Sequence, residues 1–307
     1  MRLVSYETGA RDTVRIGAVL GGAEVVDLRA ALAAAMAEAG EPDRSAETIP
    51  SDMADFLGLG EAAMVAAARG LAFAAAPGTP GLRRPLASVD LLAPVPRPGK
   101  IIGIGRNYGE HAREVGGPRQ EAPRVFFKPA SSVVRPGCTV RIPAAVTKPD
   151  WEAELAVVIG RPARDVSEAH ALSHVAGYTV LDDVSAREFQ LDVSPPQTSF
   201  AKSMDGFCPM GPWLVTPEEV GEPWNLRVRC WLNGEPVQDG NTRDMIFPVP
   251  TLISHLSRFV TLAPGDVIAT GTPGGSGAFR DPLRWLRPGD RLRMEVERVG
   301  SLEHAVA

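Results

Sequence analysis

The stretch "PDWEAELAVVIG", residues 149–160, sets two glutamates at the head of an unbroken apolar run. Residues 155–159 read as a buried strand, because no position in them offers a solvent face. Side chains alternate across a strand, so Glu152 and Glu154 share a face with Ala156 and Val158. The opposite face carries Ala153, Leu155, Val157 and Ile159. Two carboxylates side by side at the edge of such a core repel each other and are poorly solvated. The pattern requires compensation by a cation, by a pair of basic residues, or by a raised carboxyl pKa.

A second acidic group lies downstream in "VAGYTVLDDVSAREFQ", residues 175–190. Residues 177–181 read as a strand with Asp182 and Asp183 at its end. Neighbours along a strand point to opposite faces, so one of the two aspartates is expected to join the glutamates. Two glutamates and one aspartate form an all-oxygen site. That donor set suits Mg²⁺, Mn²⁺ or Ca²⁺ rather than a thiolate-seeking metal, and it leaves coordination positions open. The competing reading leaves Glu152 solvated at the strand mouth and pairs Glu154 with an arginine.

Working outward, "IIGIGRNYGEHAREVGG", residues 101–117, runs from an apolar strand through glycines into a short helix. Asn107 with Glu110 fits a capping box, and Gly116, Gly117 and Pro118 stop the helix. His111 and Glu114, three apart, share a helix face. A carboxylate beside an imidazole orients the ring and raises its basicity, which prepares a general base. A solvated surface pair is the plainer alternative. The chain has only five histidines. His255 reads as structural in an apolar helix, His170 and His174 flank a polar helix, and His304 is near the terminus. Lys128 and Lys202 each border apolar runs, where an ammonium either balances an anion or snorkels to solvent. "ATGTPGG", residues 269–275, offers backbone N–H groups and threonine hydroxyls for a carboxylate, or is a plain tight turn. It lacks the Gly-Lys-Ser/Thr of a nucleotide-binding loop.

The whole chain narrows the class. It has 307 residues, 44% hydrophobic and 22% charged, with a net charge of −5 and no basic run. These values fit a soluble globular protein and argue against a nucleic-acid partner. Cys138, Cys208 and Cys230 show no paired spacing, and no segment reads as a signal peptide or membrane span. A reducing, cytoplasmic compartment is expected. The Gly-Gly turn in "VRIGAVLGGAEVVDL" predicts a hairpin, residues 29–39 a helix, and residues 52–76 one or two more. Prolines and glycines crowd residues 77–100, which read as a linker. Beyond it the chain is strand-rich, with an Asn-Gly hairpin turn in "VRCWLNGEPVQ" and a helix in "PTLISHLSRFVTLAPGD". The expected fold class is therefore α+β and mainly β, with a small N-terminal α+β domain over residues 1–95 and a larger domain over residues 96–307.

Taken together and in order, several stretches resemble the fumarylacetoacetate hydrolase family. They are "GIGRNYGEHARE", "VFFKPASSVV", "DWEAELAVVIG", "GYTVLDDVSAREFQ", "AKSMDGFCPMGPW", "NGEPVQDGNTRDMIF", "TLAPGDVIATGTPGG" and "LRPGD". They begin near residue 99 and run to the C-terminus. The resemblance implies a mixed β-roll, barrel-like catalytic domain, a homodimer, and one Mg²⁺ or Mn²⁺, with Ca²⁺ as a third option from the donor set. By motif position it implies Glu152, Glu154 and Asp183 as metal ligands, His111 with Glu114 as the base, and Lys202 as the active-site lysine. It places Arg187, Gln190 and Thr272 in substrate binding, with Arg106 and Tyr108 beside the base. Trp151, Glu188 and Met204 depart from the family pattern without removing a ligand.

The implied reaction is metal-dependent hydrolysis of a C–C bond in a 2,4-diketo acid. His111 activates the water, and the leaving carbanion is an enolate held by the metal and Lys202. Decarboxylation of a 2-oxo acid or isomerisation of a heptadienedioate-type acid would use the same enolate. A scaffold stabilised by a structural cation would leave the His-Glu pair and Lys202 without a role. The loops over residues 116–124 and 191–200 are where the substrate's distal group would be read.

Overall fold

The computed structural model describes residues 1–9, 14–79, 81–116 and 120–307. Strand β1 (Arg2–Glu7) is followed by a hairpin, β2 (Arg15–Leu20) and β3 (Glu24–Asp27), turned by Gly21 and Gly22 at positive φ. Asp27 then caps helix α1 (Leu28–Glu38), its carboxylate accepting the Ala30 N–H at 3.0 Å. After a single helical turn at Ser45–Thr48, two longer helices follow, α2 (Met53–Gly58) and α3 (Glu61–Ala75). Gly70 lets α3 lie close on α1, since a Cβ there would sit 3.0 Å from the Leu32 backbone nitrogen. The Pro/Gly-rich stretch is threaded along the sheet: Arg83–Pro85 pairs with β3 and Asp90–Leu91 with β1.

The strand-rich part supplies β4 (Ile101–Gly105), helix α4 (Gly109–Val115), β5 (Arg124–Lys128), β6 (Ala153–Ile159), β7 (Val175–Asp182) and β8 (Cys208–Val215). It continues through β9 (Arg227–Leu232), β10 (Glu235–Asn241), helix α5 (Val249–Ser257), β11 (Val267–Ala269), β12 (Arg291–Val296) and β13 (Gly300–Val306). Asn233 and Gly234, both at positive φ, form the two-residue turn between β9 and β10.

One large sheet runs from Arg83–Pro85 through β3, β2, β1, β8, β7, β6, β11 and β4 to β5. Its β11–β4 contact is parallel and the other steps along this path are antiparallel. A second sheet runs β10, β9, β12, β13 and Thr139–Val140. Both sheets are open. The architecture is α+β with strands dominant, as expected, and no closed barrel is formed among the described residues.

The alternation of β6 explains how the layers stack. Its odd positions, Leu155, Val157 and Ile159, pack with Val228, Met294 and Leu302 of the second sheet and with Leu252 and Ile253 of α5. Its even positions, Ala156 and Val158, pack with Leu28 and Leu32 of α1, Phe56 of α2 and Ala67 of α3. The central strand is therefore buried on both faces, and each of its residues is fully or almost fully enclosed. The three cysteines are free. Among the described residues no helix is long and apolar enough to cross a membrane.

Candidate active site and metal centre

Pairing of β6 with β7 builds the acidic centre. Ala153 stands opposite Asp182, so the residues just outside that pair, Glu152 and Asp183, meet at the open end of the two strands. The Asp183 N–H donates to the Glu152 carbonyl at 3.0 Å, which fixes the corner. Glu152, Glu154 and Asp183 each present a carboxylate oxygen, and these oxygens lie within 4.8 Å of one another. All three residues are buried.

Cations surround this centre unevenly. The Lys202 ammonium donates to Glu152 Oε2 at 2.7 Å, to Ser185 Oγ at 2.8 Å, and to Asp183 Oδ2. Arg187 donates to Glu152 Oε1 at 2.6 Å, to Asp150 Oδ2 at 2.7 Å and to Gln190 Oε1 at 2.9 Å. Lys128 holds Asp183 Oδ1 at 2.7 Å and two backbone carbonyls, which uses all three of its donors. Among the described residues Glu154 has no such partner; its Oε2 accepts the Gly271 N–H at 2.8 Å.

The titration behaviour follows this arrangement. Burial alone would raise the Glu152 carboxyl, but the Lys202 and Arg187 charges outweigh it and hold the group well below the usual range. Burial pushes the Glu154 carboxyl well up, and the charges of Asp183 and Glu152 push it further. Burial works against the Lys202 ammonium, yet Asp183 and Glu152 raise its pKa. An all-oxygen cluster with one unbalanced carboxylate is a chemical fit for a hard divalent cation. Burial pushes the Cys208 thiol up to about 12, which keeps it protonated.

Above the centre, α4 carries the histidine. His111 Nδ1 lies 3.3 Å from Glu114 Oε2, and the ring meets Phe279 edge-on with centroids 5.3 Å apart. The other Glu114 oxygen accepts the Gly275 N–H at 3.0 Å, which ties α4 to the glycine-rich loop. The expected capping box is absent. Tyr108 is the N-cap and makes no side-chain cap bond. Asn107 is buried instead, and its amide bonds the Phe247 backbone and the Thr270 carbonyl at 2.7–3.0 Å. A buried amide satisfied by two distant backbones outcompetes a local cap. Gly116, at φ 71, ends the helix as expected; Gly117 and Pro118 lie outside the described residues.

A cavity of about 100 Å³ joins these groups. It is lined by His111, Glu152, Arg187, Gln190, Lys202 and Thr272, with Arg106 on the same wall. Glu154, Asp183 and Tyr108 are buried behind it. The Tyr108 hydroxyl has no hydrogen-bond partner among the described residues, and burial together with the Glu154 charge drives its pKa well up. The Thr272 hydroxyl donates to the Ala153 carbonyl at 2.9 Å and accepts from Gln238.

Two supporting residues, Asp150 and Gln238, escaped the sequence reading, and a third, Asp182, was read only as one of two candidates for the acidic site. Asp150 holds Arg187 and accepts the Gly277 and Ala278 N–H groups at 2.7 and 3.1 Å. Gln238 accepts the Ala153 N–H at 3.0 Å and reaches across to Thr272 and Pro273. Asp182, turned to the opposite face from Asp183, accepts the Glu152 N–H at 2.9 Å and pairs with buried His304 at 2.7 Å. The adjacent Asp-Asp pair carried a signal for the last of these, because one aspartate had to face the second sheet. Nothing in the C-terminal sequence marked His304 as its partner.

Comparison with known proteins adds to this geometry. The family model described as fumarylacetoacetate (FAA) hydrolase C-terminal matches residues 100–307. A mitochondrial oxaloacetate tautomerase of Xenopus laevis is 41% identical over 307 residues, which is 100% of this chain and 90% of the relative. The structure of a maleylpyruvate hydrolase from Sphingobium sp. SYK-6, in complex with manganese(II) and pyruvate, superposes with a TM-score of 0.76 at 32% identity. That match covers 100% of this chain and 99% of the other. A 2-hydroxyhepta-2,4-diene-1,7-dioate isomerase from Mycobacterium marinum gives 0.72 at 31% identity, covering 100% and 98%.

Proposed function

The chain belongs to the fumarylacetoacetate hydrolase family, and from that premise we propose that it is a divalent-cation-dependent enzyme that enolises a 2-oxo acid, interconverting its keto and enol forms. The observation that carries this reading is His111, held by Glu114 and lining the same small cavity as Glu152 and Lys202.

Glu152, Glu154 and Asp183 would hold Mg²⁺ or Mn²⁺. A bound cation would supply Lewis-acid stabilisation of the negative charge that develops on the 2-oxo oxygen. His111, oriented by Glu114, takes the proton from the carbon beside the keto group and, as imidazolium, returns it to the 2-oxo oxygen to complete the enol; ketonisation runs the same transfer in reverse. Glu114 is itself pinned by the Gly275 N–H, so the imidazole cannot swing freely from the cavity. Lys202 keeps an ammonium beside the site, where it favours the anionic form of the reacting acid. Arg187 and Gln190 form one polar wall, which orients the substrate. Phe279 meets the His111 ring edge-on and lines the cavity beside it.

A second reading is hydrolysis of a C–C bond in a 2,4-diketo acid, with His111 activating water. The likeness to the maleylpyruvate hydrolase supports it. The first reading needs only the His111 base at the cavity wall, with no water seated between base and substrate. The full-length likeness to an oxaloacetate tautomerase supports the same choice.

The test runs metal-free, Mg²⁺- and Mn²⁺-loaded protein on freshly dissolved enol-oxaloacetate and on acylpyruvates in parallel. The expected result is metal-dependent decay of enol absorbance, reduced at least about 100-fold in His111→Ala, in keeping with the loss of a general base. Pyruvate release from acylpyruvates without enol decay would replace this reading with the hydrolase. Carbon dioxide release from oxaloacetate without enol decay would replace it with a decarboxylase.

A further inference from the structure

We propose that His304, on the last strand of the second sheet, is a positioning residue for the acidic centre: through Asp182 it fixes the main chain of Glu152 and so keeps the Glu152 carboxylate aimed at a bound cation. The proposal rests on the divalent-cation part of the reading above and adds to it a residue from the other sheet.

The head of β6 lies beyond the ladders that hold the rest of the strand. β11 pairs with β6 only from Ala156 to Val158, and the β7 pairing ends at Ala153 with Asp182. Two successive backbone N–H groups at this end are taken by side chains instead. Glu152 donates to Asp182 Oδ1 at 2.9 Å, and Ala153 donates to Gln238 Oε1 at 3.0 Å. Both supports lead to the second sheet, since Gln238 is on β10 and Asp182 is bonded to His304 on β13.

The Glu152 main chain is gripped on both sides by consecutive aspartates. Its N–H goes to the Asp182 carboxylate, and its carbonyl accepts the Asp183 N–H at 3.0 Å. Asp182 is held in turn by His304, whose Nε2–H donates to Asp182 Oδ2 at 2.7 Å. A carboxylate only accepts, so Nε2 is the ring nitrogen that carries this proton. Both side chains are fully enclosed. Among the described residues, Glu152 N–H and His304 Nε2–H are the two donors that the Asp182 carboxylate meets.

Without His304, one Asp182 oxygen would be buried with no donor, which is costly. The carboxylate would turn to recover one and loosen its hold on the Glu152 N–H. Groups that hold a metal ligand from behind fix its direction, and their loss weakens the metal rather than abolishing it. The same graded effect is expected here, because Arg187 and Lys202 still hold the Glu152 carboxylate itself at 2.6 and 2.7 Å. His304 does not line the cavity, so it acts on the centre only through Asp182.

Isothermal titration of metal-free full-length protein with Mn²⁺, beside urea unfolding of the same samples in chelator, tests this. His304→Leu removes the donor, whereas His304→Gln keeps an N–H near the Nε2 position. Leu302→Ala, two residues back on β13 and buried in the core between the sheets, controls for lost packing alone. The expected result is Mn²⁺ affinity weakened about 10-fold or more in His304→Leu and largely restored in His304→Gln. Leu302→Ala should lower the urea midpoint and leave the affinity unchanged. Should His304→Leu fail to fold, His304→Phe, which keeps a ring without the donor, carries the same prediction. Unchanged Mn²⁺ affinity in the folded donor-less variant, whatever its urea midpoint, overturns the proposal and leaves Glu152 standing as a ligand. Equal weakening in Leu302→Ala also overturns it. Unaltered protein that binds no Mn²⁺ overturns both this proposal and the divalent-cation reading.

Discussion

Four buried carboxylates, Asp150, Glu152, Glu154 and Asp183, meet three buried cations, Lys128, Arg187 and Lys202. The surplus charge falls on Glu154, whose carboxyl is pushed up by burial and by its two acidic neighbours. A residue kept at that disadvantage in a core is costly unless a ligand makes use of it. Glu154→Gln keeps the acceptor for the Gly271 N–H and removes the surplus charge. In chelator, it is expected to unfold at the same or a higher urea concentration than the unaltered protein, a gain of at most about 2 kcal/mol. Mn²⁺ at a hundredfold excess over its Kd should stabilise the unaltered protein by about 2.7 kcal/mol and leave the variant unmoved. Urea titrations with and without Mn²⁺ check both parts, and an equal metal response in the variant would remove Glu154 from the ligand set. The glutamate pair was legible because two acids heading an apolar run conflict with burial. The His304–Asp182 pair was not, because 122 residues separate partners that only the stacking of two sheets brings together.

The loop over residues 269–275 serves two elements. Its Gly271 N–H holds Glu154 at the head of β6, and its Gly275 N–H holds Glu114 on α4. The sequence marked these N–H groups as carboxylate donors, and in the structure they hold the protein's own carboxylates. Asn107 bonds the Thr270 carbonyl from the start of α4, so helix, loop and strand are locked together. Gly271 sits at φ +100, and a Cβ there would lie 2.7 Å from Asn107 Cβ. Gly271→Ala should therefore cost about 1–3 kcal/mol from backbone strain alone, with the clash adding to it. Gly109, in the first turn of α4, has open space where its Cβ would be. Gly109→Ala should be neutral or stabilise by up to about 1 kcal/mol. Comparing the two urea midpoints checks the contrast, and equal effects would mean that the loop yields freely. The capping box at Asn107 was misread because local spacing says nothing of the distant carbonyls that compete for the amide.

Over the whole molecule, the hairpin, the helices and the Asn-Gly turn were legible from local pattern. The joining of the N-terminal part to the rest was not, because it depends on pairs such as Arg2 with Val215 and Leu3 with Leu214. Those pairings carry the large sheet on without a break from β8 into β1. The helices α1, α2 and α3 then cover the face of the sheet that bears Ala156, Val158, Leu181, Met210, Leu214 and Val267. That face backs the strands that carry Glu152, Glu154 and Asp183, so the N-terminal residues support the site from behind without lining its cavity. A fragment of residues 96–307 would expose this apolar face and leave the β8 edge without β1, two features that drive aggregation. The fragment is expected to bind a hydrophobic dye, to scatter light at micromolar concentration, and to lose cooperative unfolding. Size-exclusion chromatography with light scattering on the fragment and the full chain makes the comparison. A monodisperse fragment that unfolds cooperatively would show that the second sheet and α5 alone sustain the core around β6.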